Sequence, residues 1–290
     1  MRQLSCSLFR ELKEGALHAL LEFIKRDSSL DFQIRENYAN VYYKGGNILK
    51  IKPKSFDIDK MYFHTAKDKN STEVKQDKTR LSDLSKKREQ LLALLPANPQ
   101  EYFTRAKSVM DEWDEALSDR VQHNEKKAQQ QIAIANRNDT DYVVLDLEYA
   151  VSRTSTFKYD GEKDKYVPRF DIIAIHDGRL VVIELKKGLG AVSGTSGVRP
   201  HIDCFNHTIG RDSAGLFVSE MRELLKQKQQ LGLLDKTLKI QEEKPLFMLA
   251  YADEKGKDEF LGFVHKCRKD GYKDEFIYLE NDHKLRRREL

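Results

Sequence analysis

The chain has little cysteine. Its 290 residues include three, Cys6, Cys204 and Cys267. They lie far apart, and no two form a CxxC pair. That speaks against a disulfide framework and a cysteine-built zinc site, and it fits a reducing compartment. Long apolar runs are also missing. No stretch approaches the roughly 20 apolar residues that cross a bilayer as a helix. The first residues lack the apolar core of a secretory signal. The expectation is a soluble, cytoplasmic protein with no membrane partner. Neither sign of charge dominates. With 51 basic and 47 acidic residues the net charge is +4, which permits a nucleic-acid partner without demanding one. There is no GxxxxGK[ST] phosphate loop and no internal repeat.

What is present is enough apolar residue, 39%, for a real core under a heavily charged surface. Ser7 to Lys25 places Leu8, Leu12, Ala16, Leu20 and Ile24 at helical spacing, so one helix is expected there. Asn40 to Lys52 reads as a hairpin turning at Gly45-Gly46. His64 to Gln90 is charged and poor in large apolar residues. It reads as a mobile loop or a solvated helix and marks a boundary. The expected domains are therefore 1–95, a helix plus β-hairpin region, and 96–290. Asn98-Pro99 opens a second helix by capping followed by a first-turn proline. Its stripe is Tyr102, Ala106, Val109, Trp113 and Leu117.

The helix from Arg120 to Asn136 has the stripe Val121, Glu125, Ala128, Ile132 and Ala135. Glu125 stands where a leucine is expected. It sits at the wet end of the helix, or it turns inward to an acidic site. The pattern then changes to period two. Tyr142 to Ala150 is a strand with Val143, Leu145 and Leu147 on one face. Asp146 and Glu148 lie on the other. Val167 to Lys187 reads as two more strands joined at Asp177-Gly178. A glycine-rich loop runs from Gly188 to Gly197 and leads into Arg199 and His201. A helix over Ser213–Leu231 follows, then a buried strand over Leu246–Ala252. A short helix and a strand close the chain by Leu279. The basic cluster Lys284, Arg286, Arg287 and Arg288 reads as a solvated end. Short turns make the first three strands antiparallel or mixed, while the crossover allows a parallel fourth.

Residues two apart on a strand share a face. Glu184 and Lys186 therefore point one way and Ile183 and Leu185 the other. An acid and a lysine on a buried strand are costly unless paired or used. Acid-x-lysine triplets also occur at Glu11/Lys13, Glu73/Lys75, Glu125/Lys127 and Glu242/Lys244. Only Glu184/Lys186 lies in a β-run, before a glycine-rich turn, with an aspartate, Asp171, one strand earlier.

That arrangement resembles the PD-(D/E)XK, or restriction-endonuclease-like, nuclease superfamily, over about residues 120–252. The proline of the usual first half-motif is displaced here to Pro168, three residues before Asp171. The resemblance implies an α/β (α+β) fold whose core is helix–three strands–helix–strand with a mixed central sheet. It implies hydrolysis of phosphodiester bonds, DNA favoured, with Mg²⁺ as cofactor and Mn²⁺ substituting. Asp171 and Glu184 would bind the metal, with the backbone carbonyl of Leu185 as a third ligand and Glu125 as a helix-borne addition. Lys186 would assist the attacking water. Glu148, Arg199 and His201 are secondary candidates. The N-terminal third matches no family and is left with substrate selection or a homodimer contact. The alternative is a nuclease-fold protein that binds nucleic acid or acts as a scaffold without cutting.

Overall fold

A computed structural model describes residues 1–63, 78–115, 124–138, 140–151, 169–186, 192, 197–212, 215–252, 257–272, 276–279 and 281–287. The chain is mixed α/β and forms two compact units. One comprises Gln3–Lys127, the other Met1–Arg2 with Ala128–Leu290. The division falls inside a helix, between Lys127 and Ala128, rather than near residue 95.

In the first unit the expected single helix is two, α1 (Cys6–Glu14) and α2 (His18–Arg26). Gly15 ends α1, and its N–H reaches back to the carbonyls of Arg10 and Glu11. The break resets the apolar phase, so Leu17 is buried and Ala16 exposed. Four antiparallel strands follow in spatial order: β1 (Asp31–Ile34), β2 (Ala39–Tyr43), β3 (Gly46–Lys52) and β4 (Ser55–Asp57). The β2–β3 hairpin turns at Lys44-Gly45, both with positive φ, 47° and 80°. That is the backbone twist a two-residue hairpin favours. Of the charged stretch, residues 64–77 lie outside the described residues, and the rest enters helix α3 (Lys78–Leu92). Helix α4 (Pro99–Glu115) starts as expected. Asn98 Oδ1 accepts the Glu101 N–H at 3.2 Å, and the Asn98 amide donates to Glu101 Oε2 at 2.8 Å. This reciprocal cap satisfies groups the helix start leaves open. Tyr102, Ala106 and Trp113 are buried on its stripe; Leu117 is outside the described residues.

The second unit is built on a six-stranded mixed sheet. Helix α5 (Asn124–Ala135) leads into β5 (Val143–Ala150), β6 (Arg169–His176) and β7 (Arg179–Lys186). Helices α6 (Val198–His207) and α7 (Leu216–Gln230) then precede β8 (Leu246–Tyr251). Helix α8 (Lys257–Lys269), β9 (Phe276–Leu279) and β10 (Leu285–Arg287) complete it. The spatial order is β10-β9-β8-β7-β6-β5. The β5–β6 and β6–β7 pairs are antiparallel and β7–β8 is parallel; a two-residue turn joins β6 to β7, whereas eighteen residues separate β5 from β6. Two elements depart from the expectation. Val198–His207 is a helix, with Pro200 in its first turn, where a missing N–H costs nothing. The basic C-terminal cluster enters strand β10, where Arg286 pairs with Asp282 at 2.5 Å; Arg288 is outside the described residues.

The β6–β7 turn is Asp177-Gly178, φ 48° and 80°. On one sheet face Ala128 and Ile132 of α5 pack with Ile172, Ile183, Leu185, Met248 and Ala250. On the other face Phe205 of α6 meets Phe247 at 5.2 Å, and Phe263 of α8 stacks on Tyr251 at 4.7 Å. Strand β5 breaks its alternation. The ladder shifts register between Val144 and Asp146, leaving Leu145 as the extra residue of a bulge. Tyr142, Val144 and Leu147 therefore share the α5 face, in place of the expected Val143, Leu145 and Leu147.

Candidate active site

Strand β7 positions the centre of the site. Ile183 and Leu185 are anchored in the apolar core at 0% and 1% exposure. A one-residue slip would bring the charged neighbours into that core, so the register is fixed. Glu184 and Lys186 consequently share the opposite face, buried to 3% and 5% exposure. Lys186 Nζ donates to Glu184 Oε1 at 2.9 Å. Asp171 comes from β6, where the pairing Ile172↔Ile183 brings it level with Glu184. Its Oδ2 accepts the Leu185 backbone N–H at 2.8 Å. Its Oδ1 accepts from Gln129 Nε2 at 2.9 Å.

Helix α6 brings in a fifth side chain. His201 Nδ1 lies 3.1 Å from Glu184 Oε1, the oxygen that Lys186 also contacts. An ionised carboxylate only accepts, so this contact places a proton on Nδ1. One turn on, the Cys204 thiol is pushed up to about 12, by burial first and by the Glu184 charge second. The Cys267 thiol on α8 is also pushed up to about 12, by burial and then by Asp270, with Lys186 pulling the other way. Both stay protonated at neutral pH, so neither offers a thiolate.

The remaining candidates lie elsewhere. Arg199 is exposed, and Glu125 is exposed in the first turn of α5. Val121, Lys187, Gly188, Gly190 and Gly194 fall outside the described residues. Glu148 is half-buried with φ 49°, and its carbonyl accepts from Arg2 Nη2 at 2.6 Å. Asp146, fully buried, pairs with Arg2 Nε at 3.1 Å. The bulge carbonyl of Leu145 accepts from Lys228 Nζ at 2.6 Å. These groups form a polar network holding residue 2 to β5 and α7.

The comparisons with protein families, curated proteins and solved structures match nothing to this chain. The function therefore has to be argued from the site.

Gln129 is the residue that sequence reading missed. Its signal was present: it lies three residues before Ile132 and four before Ala133, both buried. A glutamine on the core-facing side of a helix needs a partner. Among the described residues, no group of three or more His, Cys, Asp or Glu side chains is placed to hold a metal ion. Asp171 and Glu184 offer two oxygen ligands on adjacent strands. Magnesium often takes only one or two carboxylates and keeps several waters, so the donor chemistry suits it without a third acid. No described helix is long and apolar enough to cross a membrane.

Proposed function

We propose that this chain is a metal-dependent nuclease with a restriction-endonuclease-like core, hydrolysing phosphodiester bonds, DNA favoured. The observation that carries the reading is the convergence of Asp171 and the Glu184/Lys186 pair from neighbouring buried strands. The element order supports it: α5, three antiparallel strands, helical crossover and parallel β8.

Asp171 and Glu184 would hold Mg²⁺, or Mn²⁺ in its place, with the Leu185 carbonyl as the further oxygen that the resemblance implies. The bound cation supplies charge neutralisation and a more acidic water. Lys186 orients the attacking water or meets the charge that grows on the phosphoryl oxygens, a task suited to a compact, movable ammonium. His201 braces Glu184 from α6, and Gln129 braces Asp171 from α5.

One observation favours the alternative, a nuclease-fold protein that binds nucleic acid or acts as a scaffold without cutting. Glu184 Oε1 is engaged by both Lys186 and His201, contacts that compete with a cation for the same oxygen. Incubation of plasmid, linear duplex, single-stranded DNA and RNA with Mg²⁺ or Mn²⁺ separates the two. Cleavage lost in Asp171→Asn and Lys186→Met supports the nuclease. Binding without cleavage of any substrate supports the alternative.

A further inference from the structure

Gln129 is buried to 4% exposure and occupies a helix face otherwise given to Ala128, Ile132 and Ala133. A buried amide costs free energy unless it is bonded, and an apolar side chain would fill this place more cheaply. The amide instead reaches Asp171. Because an ionised carboxylate can only accept, the nitrogen and not the oxygen must face it, which settles the orientation of the amide.

The two bonds to Asp171 come from different elements and end on different oxygens. Gln129 of α5 takes Oδ1 at 2.9 Å, and the backbone of β7 takes Oδ2 at 2.8 Å. The terminal torsion of an aspartate is soft and broadly distributed. One bond leaves it free to turn; two bonds at opposite oxygens fix it.

We propose that Gln129 is a positioning residue for Asp171: it fixes the carboxylate in the orientation that binds the divalent cation. This rests on the nuclease reading above. Outer partners of metal ligands typically contribute about 10–100-fold in metal affinity, and Gln129 acts in that range. It touches neither substrate nor the reacting atoms. Its removal therefore raises the metal concentration needed for activity and leaves the rate at saturating metal close to wild type.

The test is calorimetric titration of the full chain with Mn²⁺, for wild type, Asp171→Ala, Gln129→Met and Gln129→Asn. Methionine keeps the length and removes the donor. Asparagine keeps the amide and withdraws it from reach, so one variant remains should the other fail to fold. Gln131→Ala, exposed on the same helix, is the control. The expected result is a dissociation constant raised about 10–100-fold in both Gln129 variants, with Gln131→Ala unchanged. The activation curve for cleavage shifts by the same factor. A merely structural role would lower the melting temperature without metal and leave the dissociation constant alone. Wild-type affinity in the Gln129 variants, with binding lost in Asp171→Ala, overturns the inference and spares the nuclease reading. No Mn²⁺ binding by wild type overturns both.

Discussion

Lys186 and Glu184 form an ion pair across two residues of one strand, Nζ to Oε1 at 2.9 Å, with both side chains almost wholly inside. Burial makes this pair asymmetric in its consequences. Lys186→Met takes the ammonium from a buried carboxylate that His201 also contacts, and Glu184→Gln takes the carboxylate from a buried ammonium. Removing one partner of such a pair typically costs about 3–5 kcal/mol, whereas replacing both costs far less. Urea unfolding should show each single variant destabilised, and Glu184→Gln/Lys186→Met closer to wild type than the sum. Additive losses would mean that the two side chains do not interact.

A second buried pair joins Arg2 to Asp146, Nε to Oδ2 at 3.1 Å. Asp146 is 0% exposed, and the bulge at Leu145 aims it at Arg2. Arg2→Met should cost about 3–5 kcal/mol for the same physical reason, and adding Asp146→Asn should recover part of it. Thermal or urea unfolding reads both. An Arg2→Met protein as stable as wild type would show that Asp146 is satisfied by other groups.

The β2–β3 turn needs glycine at residue 45. Its φ is +80°, and a Cβ there would lie 2.6 Å from the Lys127 backbone nitrogen. The left-handed conformation alone costs a side chain about 1–2 kcal/mol, and backbone cannot move aside as a flexible side chain can. Gly45→Ala is therefore expected to lose more than that figure in urea unfolding. A loss below 0.5 kcal/mol, roughly the scatter of surface substitutions, would show that the turn relaxes.

Much of this architecture was legible in the chain. Asp177-Gly178 and Lys44-Gly45-Gly46 announce their hairpins because type I′ turns demand positive φ. Asn98-Pro99 announces α4 because its cap is local. Glu184 and Lys186 were found because period-two alternation needs no partner to be read. Three features were hidden for reasons that are also physical. The bulge at Leu145 shifts every later residue of β5 by one place, and nothing in VVLDLEYA marks it. Gly15 divides a continuous apolar stripe. Helix α6 follows a glycine-rich run and contains Pro200, which resembles a loop until its neighbours are known. Gln129 lies 42 residues before Asp171 in the sequence, so only the tertiary fold brings it to the acid, whereas His201 is a candidate already in the sequence and the fold adds its partner, Glu184.

Asp27 supplies a test by pH. Burial pushes its carboxyl up, but hydrogen bonds from Lys107 and Ser29 outweigh that and hold it below the ordinary aspartate value. A carboxyl depressed in the folded state adds stability above its unfolded value, near pH 3.9. That stability is lost as pH falls through the lower, folded value. Acid titration of urea stability should thus steepen below about pH 4, and less so in Lys107→Met, where the Nζ contact of 2.5 Å is gone. Identical slopes would mean that the pair does not contribute.

The most direct test of the central claim is nicking of supercoiled plasmid by purified wild type and Glu184→Ala, each with Mg²⁺ and with excess chelator. The account predicts cutting by wild type with Mg²⁺ only, and none by Glu184→Ala. Equal cutting by the two proteins, or cutting that survives the chelator, would contradict it.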